Sequence, residues 1–117
     1  MFKGIPLTLG VEEEYQIVDA ETRALDSYVS KILPDGRVRL QDQVKEEFME
    51  SQIEVGSRIC QTVQEVRSEL QRLRGALIEI AEAQGKHIVA ASTHPFSRWV
   101  DQSITPRLRY KALEENM

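Results

Sequence analysis

Leu7-Thr8-Leu9-Gly10-Val11-Glu12-Glu13-Glu14-Tyr15-Gln16-Ile17-Val18 is the stretch from which the rest of the chain is read. Leu7, Leu9, Val11, Tyr15 and Ile17 fall on one side of an extended chain, and Thr8, Gly10, Glu12, Glu14 and Gln16 on the other. This predicts a strand over residues 7–18 with one face toward a core. Glu13 interrupts the apolar side, and a bulge or an edge position would let it reach solvent. Glutamate is depleted in strands, and three in succession repel one another. The two-residue period sets Glu12 and Glu14 on one face, roughly 6.5–7 Å apart. Such a pair can be solvated, matched by Arg or Lys, or bound to a cation. For an isolated pair, solvation is the commonest arrangement.

A second acidic stretch, Glu50-Ser51-Gln52-Ile53-Glu54, repeats the pattern. Over residues 48–55, Met49, Ser51, Ile53 and Val55 alternate with Phe48, Glu50, Gln52 and Glu54. The alternation favours a strand, with helix as the alternative because Glu and Met are good helix formers. If the two strands are neighbours, Glu12, Glu14, Glu50 and Glu54 converge on one patch. Carboxylates of this kind suit Mg²⁺ or Mn²⁺. Zinc would want Cys or His at ligand spacing, and one Cys with two separated His does not supply it. Magnesium held by carboxylates usually accompanies phosphate handling. Neither Gly-rich phosphate loop, G-x-x-x-x-G-K-[ST] or G-x-G-x-x-G, is present.

The remaining segments alternate in type. Asp19-Ala20-Glu21-Thr22 is a polar turn. Leu25–Leu33 reads as a short helix capped by Asp26 or Ser27. Pro34-Asp35-Gly36 reads as a turn and Arg37–Gln41 as a short strand. Thr62–Gln84 reads as a long amphipathic helix, with Val63, Val66, Leu70, Leu73, Leu77 and Ile80 at spacings of three and four. Thr62-Val63-Gln64-Glu65 is a capping-box signature, and Gly85 a stop. His87–Thr93 reads as a buried strand ended by Pro95. The order predicts an α+β domain: an antiparallel-rich sheet with helices on one side. Arg107–Met117 reads as the start of a helix without a stop signal, so residues 1–117 are expected to be the N-terminal part of a larger domain.

Ser92-Thr93-His94-Pro95-Phe96-Ser97-Arg98-Trp99 gathers polar, aromatic and cationic groups where a strand ends, a common place for ligand contacts. His94 can transfer a proton or serve as a structural histidine. Arg109, beside Tyr110, can grip a carboxylate with two parallel hydrogen bonds, although a solvated arginine is the more frequent case. Cys60 has no base placed near it and reads as a small core residue.

Charged residues make up 29% of the chain and hydrophobic ones 41%, which suits a folded globular domain. The net charge of -4 argues against non-specific binding to nucleic acid or to an anionic membrane. No apolar run reaches the roughly 18–20 residues of a membrane helix, and Met1–Pro6 lacks the long apolar stretch of a signal peptide, so a cytoplasmic location is expected. The 3-4 seam of the long helix would also suit a non-catalytic, helix-mediated interaction protein, and a homodimer is compatible with it. A metal-binding regulatory domain is a further alternative.

Taken together, Gly10–Asp19, Glu50–Glu54, the Arg- and Leu-rich helix, Ser92–Phe96, and Thr105-Pro106 followed by Arg109-Tyr110 resemble the carboxylate–amine ligase family, glutamate–cysteine ligase type 2. The resemblance covers nearly the whole chain. It implies part of a glutamine-synthetase-like catalytic domain whose sheet holds ATP and Mg²⁺ or Mn²⁺. By that likeness Glu12, Glu14 and Glu54 are metal ligands, and Glu50 is a metal ligand or a contact to cofactor or substrate. His94 and Arg109 would be catalytic, and Arg109 and Tyr110 would bind the cofactor. The implied partners are an amino-acid substrate and an amine. The implied reaction phosphorylates a carboxylate to an acyl phosphate, which the amine then attacks to form an amide.

Overall fold

The computed structural model describes residues 7–106 and 108–116; the side chains of Trp99 and of residues 108–111 lie outside that description. Among the described residues, four strands form one antiparallel sheet: β1 (Glu12–Asp19), β2 (Val44–Glu46), β3 (Gln52–Gly56) and β4 (Lys86–Val89), in the order β2-β3-β1-β4. Three α-helices accompany it: α1 (Val29–Leu40), α2 (Val63–Glu82) and α3 (Leu108–Glu115). The architecture is α+β, as the segment order predicts.

The two-residue period of β1 sorts its side chains as expected. Tyr15 and Ile17 join Val44, Ile53 and Val55 in a core completed by Val29, Ile32 and Leu40 of α1 and by Leu73, Ala76, Leu77 and Ile80 of α2. Ile17 opposes Ile88, which packs against the same core. The other sheet face, carrying Glu12, Glu14, Gln16, Gln52 and Glu54, has neither α1 nor α2 on it. Burial of the apolar face at about 25 cal/mol per Å² is what fixes the register, since a one-residue slip would turn Tyr15 and Ile17 outward.

Three local expectations are corrected. Leu25–Leu33 is helical only in its second half: Leu25 bridges Val18, and α1 begins at Val29. Neither Asp26 nor Ser27 caps it. The Glu50 carbonyl instead accepts the Tyr28 and Val29 N–H groups, both at 3.0 Å. Pro34-Asp35-Gly36 is not a turn, and Arg37–Gln41 is not a strand, because α1 runs through both. A buried stripe of Val29, Ile32, Gly36 and Leu40, spaced three, four and four, outweighs the missing proline donor. Gly36 lets the helix approach β2: a Cβ there would lie 3.3 Å from Val44 Cγ1.

The long helix holds, with a shifted seam. Thr62 Oγ1 accepts the Glu65 N–H at 3.1 Å, and the Glu65 carboxylate accepts the Gln61 N–H, so both halves of the N-terminal cap are satisfied. Val63 is exposed and Glu69 is buried. The apolar core of the helix therefore begins at Leu73, nearly three turns later than the apolar spacing suggests. The seam from Leu73 to Ile80 is occupied by the sheet and α1. Gly85 takes a left-handed φ of 72° three residues past the helix end. The C-terminal helix expected within 107–117 is α3, whereas Arg107 and Met117 lie outside the described residues.

Candidate functional site

The open sheet face is built around one register. Glu14 on β1 is the direct partner of Glu54 on β3, with Glu12 opposite Gly56 and Gln16 opposite Gln52. On the far side of β3, Lys45 opposes Glu54. Glu12, Glu14 and Glu54 thus share one face. Sequence periodicity alone places them there.

A fourth carboxylate, that of Glu47, joins them, while the backbone of Glu50 lies outside the strand alternation. Gln52 N–H donates to the Met49 carbonyl in a turn, so β3 starts at Gln52 and the alternation does not extend back to Glu50. The backbone of Glu50 is spent on α1 and on Ser103, whose carbonyl accepts its N–H. Glu47, just beyond β2, acts on both Glu14 and Glu54. The segment is pinned there by Thr105, whose N–H donates to the Phe48 carbonyl and whose hydroxyl donates to the Glu47 carbonyl. The signal for Glu47 lay in Lys45-Glu46-Glu47, an acidic pair next to a strand too short to show a period.

Electrostatics tie these groups together. Burial raises the pKa of Glu14 above the ordinary carboxylate range, and repulsion by Glu47 and a hydrogen bond with it raise it further. Burial likewise raises Glu54, helped by Glu47 and Glu12 and partly offset by Lys45. Like charges gathered on a sheet face destabilise it unless a cation relieves them. As the side chains stand, no three His, Cys, Asp or Glu groups among the described residues close on a common point suited to a metal. The donor chemistry fits a hard divalent ion, and the carboxylates would have to turn inward to enclose one.

Glu13 needs neither a bulge nor an edge. Its carboxylate accepts two hydrogen bonds from Arg74 of α2, from Nε at 2.7 Å and Nη2 at 2.6 Å, and one from the Tyr15 hydroxyl. Arg74 holds the Glu13 pKa below its ordinary value. The middle glutamate of the triplet thus fastens helix to sheet, while its neighbours face the other way.

Two hollows continue the open face away from the carboxylates. One of about 310 Å³ lies between Glu14, Gln16, Gln52 and Ser92. The other, about 440 Å³, is walled by Val18, Val89, His94 and Phe96, again with Gln16. His94 is held by the chain's own backbone. Its Nδ1 accepts the Phe96 and Ser97 N–H groups at 3.2 and 3.0 Å, so the proton sits on Nε2 and is donated to the Arg23 carbonyl at 2.7 Å. That carbonyl belongs to a residue with a left-handed φ of 63°. Both ring nitrogens are engaged, and proton transfer by His94 would require releasing one of them. Arg109 and Tyr110 fall in α3, and their side chains lie outside the described residues. Cys60 is buried, and its backbone pairs with Leu9. No helix among the described residues is long and apolar enough to cross a membrane.

Comparison with known proteins adds the family. The model of glutamate-cysteine ligase family 2 matches residues 8–117. Curated relatives named "Putative glutamate--cysteine ligase 2" align over almost the whole chain. Those of Roseiflexus castenholzii and Herpetosiphon aurantiacus are each 50% identical over 96% of it, and that of Chloroflexus aggregans is 52% identical over 94%. The chain spans only 28–30% of the length of these relatives.

Proposed function

The chain belongs to glutamate-cysteine ligase family 2, and from that premise we propose that it supplies the acidic face of an ATP-dependent carboxylate–amine ligase. The observation that carries this reading is the Glu14–Glu54 register, with Glu12 and Glu47 on the same patch. These four carboxylates would hold Mg²⁺ or Mn²⁺. A bound divalent ion supplies charge neutralisation on the phosphoryl oxygens of ATP.

The remaining chemistry is positioning. The sheet face would align the γ-phosphoryl group of ATP with the carboxylate of an acid substrate. Transfer gives an acyl phosphate and ADP. An amine then attacks the acyl carbon, the C–O bond to phosphate breaks, and an amide and inorganic phosphate leave. Orientation of this kind contributes much of the rate in two-substrate reactions. Arg109 and Tyr110, carried on α3, are proposed as contacts to the nucleotide, and Arg109 also to a substrate carboxylate. A cytoplasmic setting, where ATP and Mg²⁺ are abundant, suits the reaction.

The test is turnover in a ligase-length protein carrying this segment. ATP consumption should require Mg²⁺, an acid and an amine together. Glu54→Gln should lower kcat by a hundredfold or more, the order expected for loss of a key electrostatic contact. Undiminished turnover in that variant would refute the assignment. Metal binding without nucleotide binding would point instead to a regulatory domain.

A further inference from the structure

Gln16 stands out among the polar residues that no part of the account above uses. It sits mid-strand in β1 and is only 5% exposed. No hydrogen bond joins its side-chain amide to any other described residue. Yet no fully sealed polar atom among the described residues lacks a partner, so the little surface Gln16 keeps includes its amide. That surface opens on the two hollows, since Gln16 lines both, with Glu14 bordering one and Val18, Val89 and Phe96 the other. Its donor and acceptor are therefore met by solvent, or by a ligand that enters either hollow.

We infer that Gln16 is a specificity-determining contact that reads the amino-acid headgroup of the acid substrate. This rests on the ligase reading above. An amide both donates and accepts, so one side chain can accept from an ammonium and donate to a carboxylate. Its place along β1 sets the length of the ligand. Gln16 is one same-face repeat from Glu14, roughly 7 Å along the strand. A substrate whose reacting carboxylate lies near the glutamates, with its ammonium nitrogen four bonds further on as in L-glutamate, reaches across most of that interval and comes within hydrogen-bond range of Gln16. Gln52, directly opposite Gln16, borders the same hollow. Its Oε1 is already engaged by the Met49 N–H at 3.4 Å, which leaves Gln16 as the uncommitted amide.

The test compares L-glutamate with glutarate, which keeps both carboxylates and lacks the ammonium. In the ligase-length protein, the wild type should prefer L-glutamate in both kcat/KM and direct binding in the presence of Mg²⁺. Gln16→Met keeps the shape and removes the amide, so it should cut that preference tenfold or more. The KM for ATP should stay unchanged, and the thermal midpoint should not fall. Gln16→Glu, which keeps an acceptor and loses the donor, should retain more of the ammonium preference than Gln16→Met. An unchanged L-glutamate-to-glutarate ratio in folded Gln16→Met overturns the inference and leaves the ligase reading intact. A wild type with no acid- and amine-dependent ATP turnover removes both, and that failure appears before any variant is made.

Discussion

Glu14 and Glu54 stand directly opposite each other on adjacent antiparallel strands, and Glu47 raises the pKa of both. A carboxylate raised in the folded state binds its proton more tightly there than in the unfolded chain. Its contribution to stability therefore falls as pH rises from the unfolded value through the folded one. In metal-free protein, Glu47→Gln should relieve this. The amide oxygen can still accept the Phe48 N–H that the Glu47 carboxylate takes at 3.1 Å. Urea unfolding near pH 7 should show a gain of a few tenths to about 1 kcal/mol, the scale of partly exposed charge pairs. The gain should shrink as pH falls below the raised values of Glu14 and Glu54.

Glu13 should behave unlike its two neighbours. Its double hydrogen bond to Arg74 ties β1 to α2, so Glu13→Gln should destabilise the fold by about 1 kcal/mol. A double-mutant cycle with Arg74→Met should return most of that as coupling. Metal affinity should not change, because Glu13 faces the helices. A Glu13→Gln variant that lost metal affinity without losing stability would reverse this assignment of faces.

Acid sensitivity should come from Glu69. Hydrogen bonds from Arg72 first, then the Arg58 backbone and Gln43, hold its pKa down to about 2. The sign is opposite to that of Glu14. A lowered carboxylate contributes stability that is fully present above its ordinary value and is lost as pH falls toward the folded one. The fold should therefore weaken between roughly pH 5 and pH 2. Glu69→Gln should cost on the order of 1–2 kcal/mol at neutral pH, since it weakens the charged hydrogen bonds to Arg72 and Arg58, whose guanidinium groups keep contact with solvent. The variant's pH–stability curve, followed by circular dichroism, should be flatter across that acid range.

Much of this was legible in the sequence where one physical pattern dominated. The alternation in β1 placed Glu12 and Glu14 on one face because burial of Tyr15 and Ile17 allows a single register. The α2 cap was legible because Thr62 and Glu65 act locally. Where tertiary packing overrode local preference, the sequence misled. Pro34-Asp35-Gly36 carries strong turn chemistry, and only the packing of Ile32, Gly36 and Leu40 keeps it helical. Glu50 lies outside β3 because the turn at Met49–Gln52 ends the alternation, and nothing local announces that turn. Glu13 looked anomalous because its partner, Arg74, lies 61 residues away. Gln16 carried no signal at all: an amide on a polar strand face is ordinary until its burial is known.

Titration calorimetry with Mn²⁺ at pH 7.5 tests the central claim most directly, using wild type and Glu54→Gln. The account predicts saturable binding by the wild type and at least a tenfold weaker affinity in the variant, with both proteins equally folded. Equal affinity in the two, or no binding by the folded wild type, would contradict it.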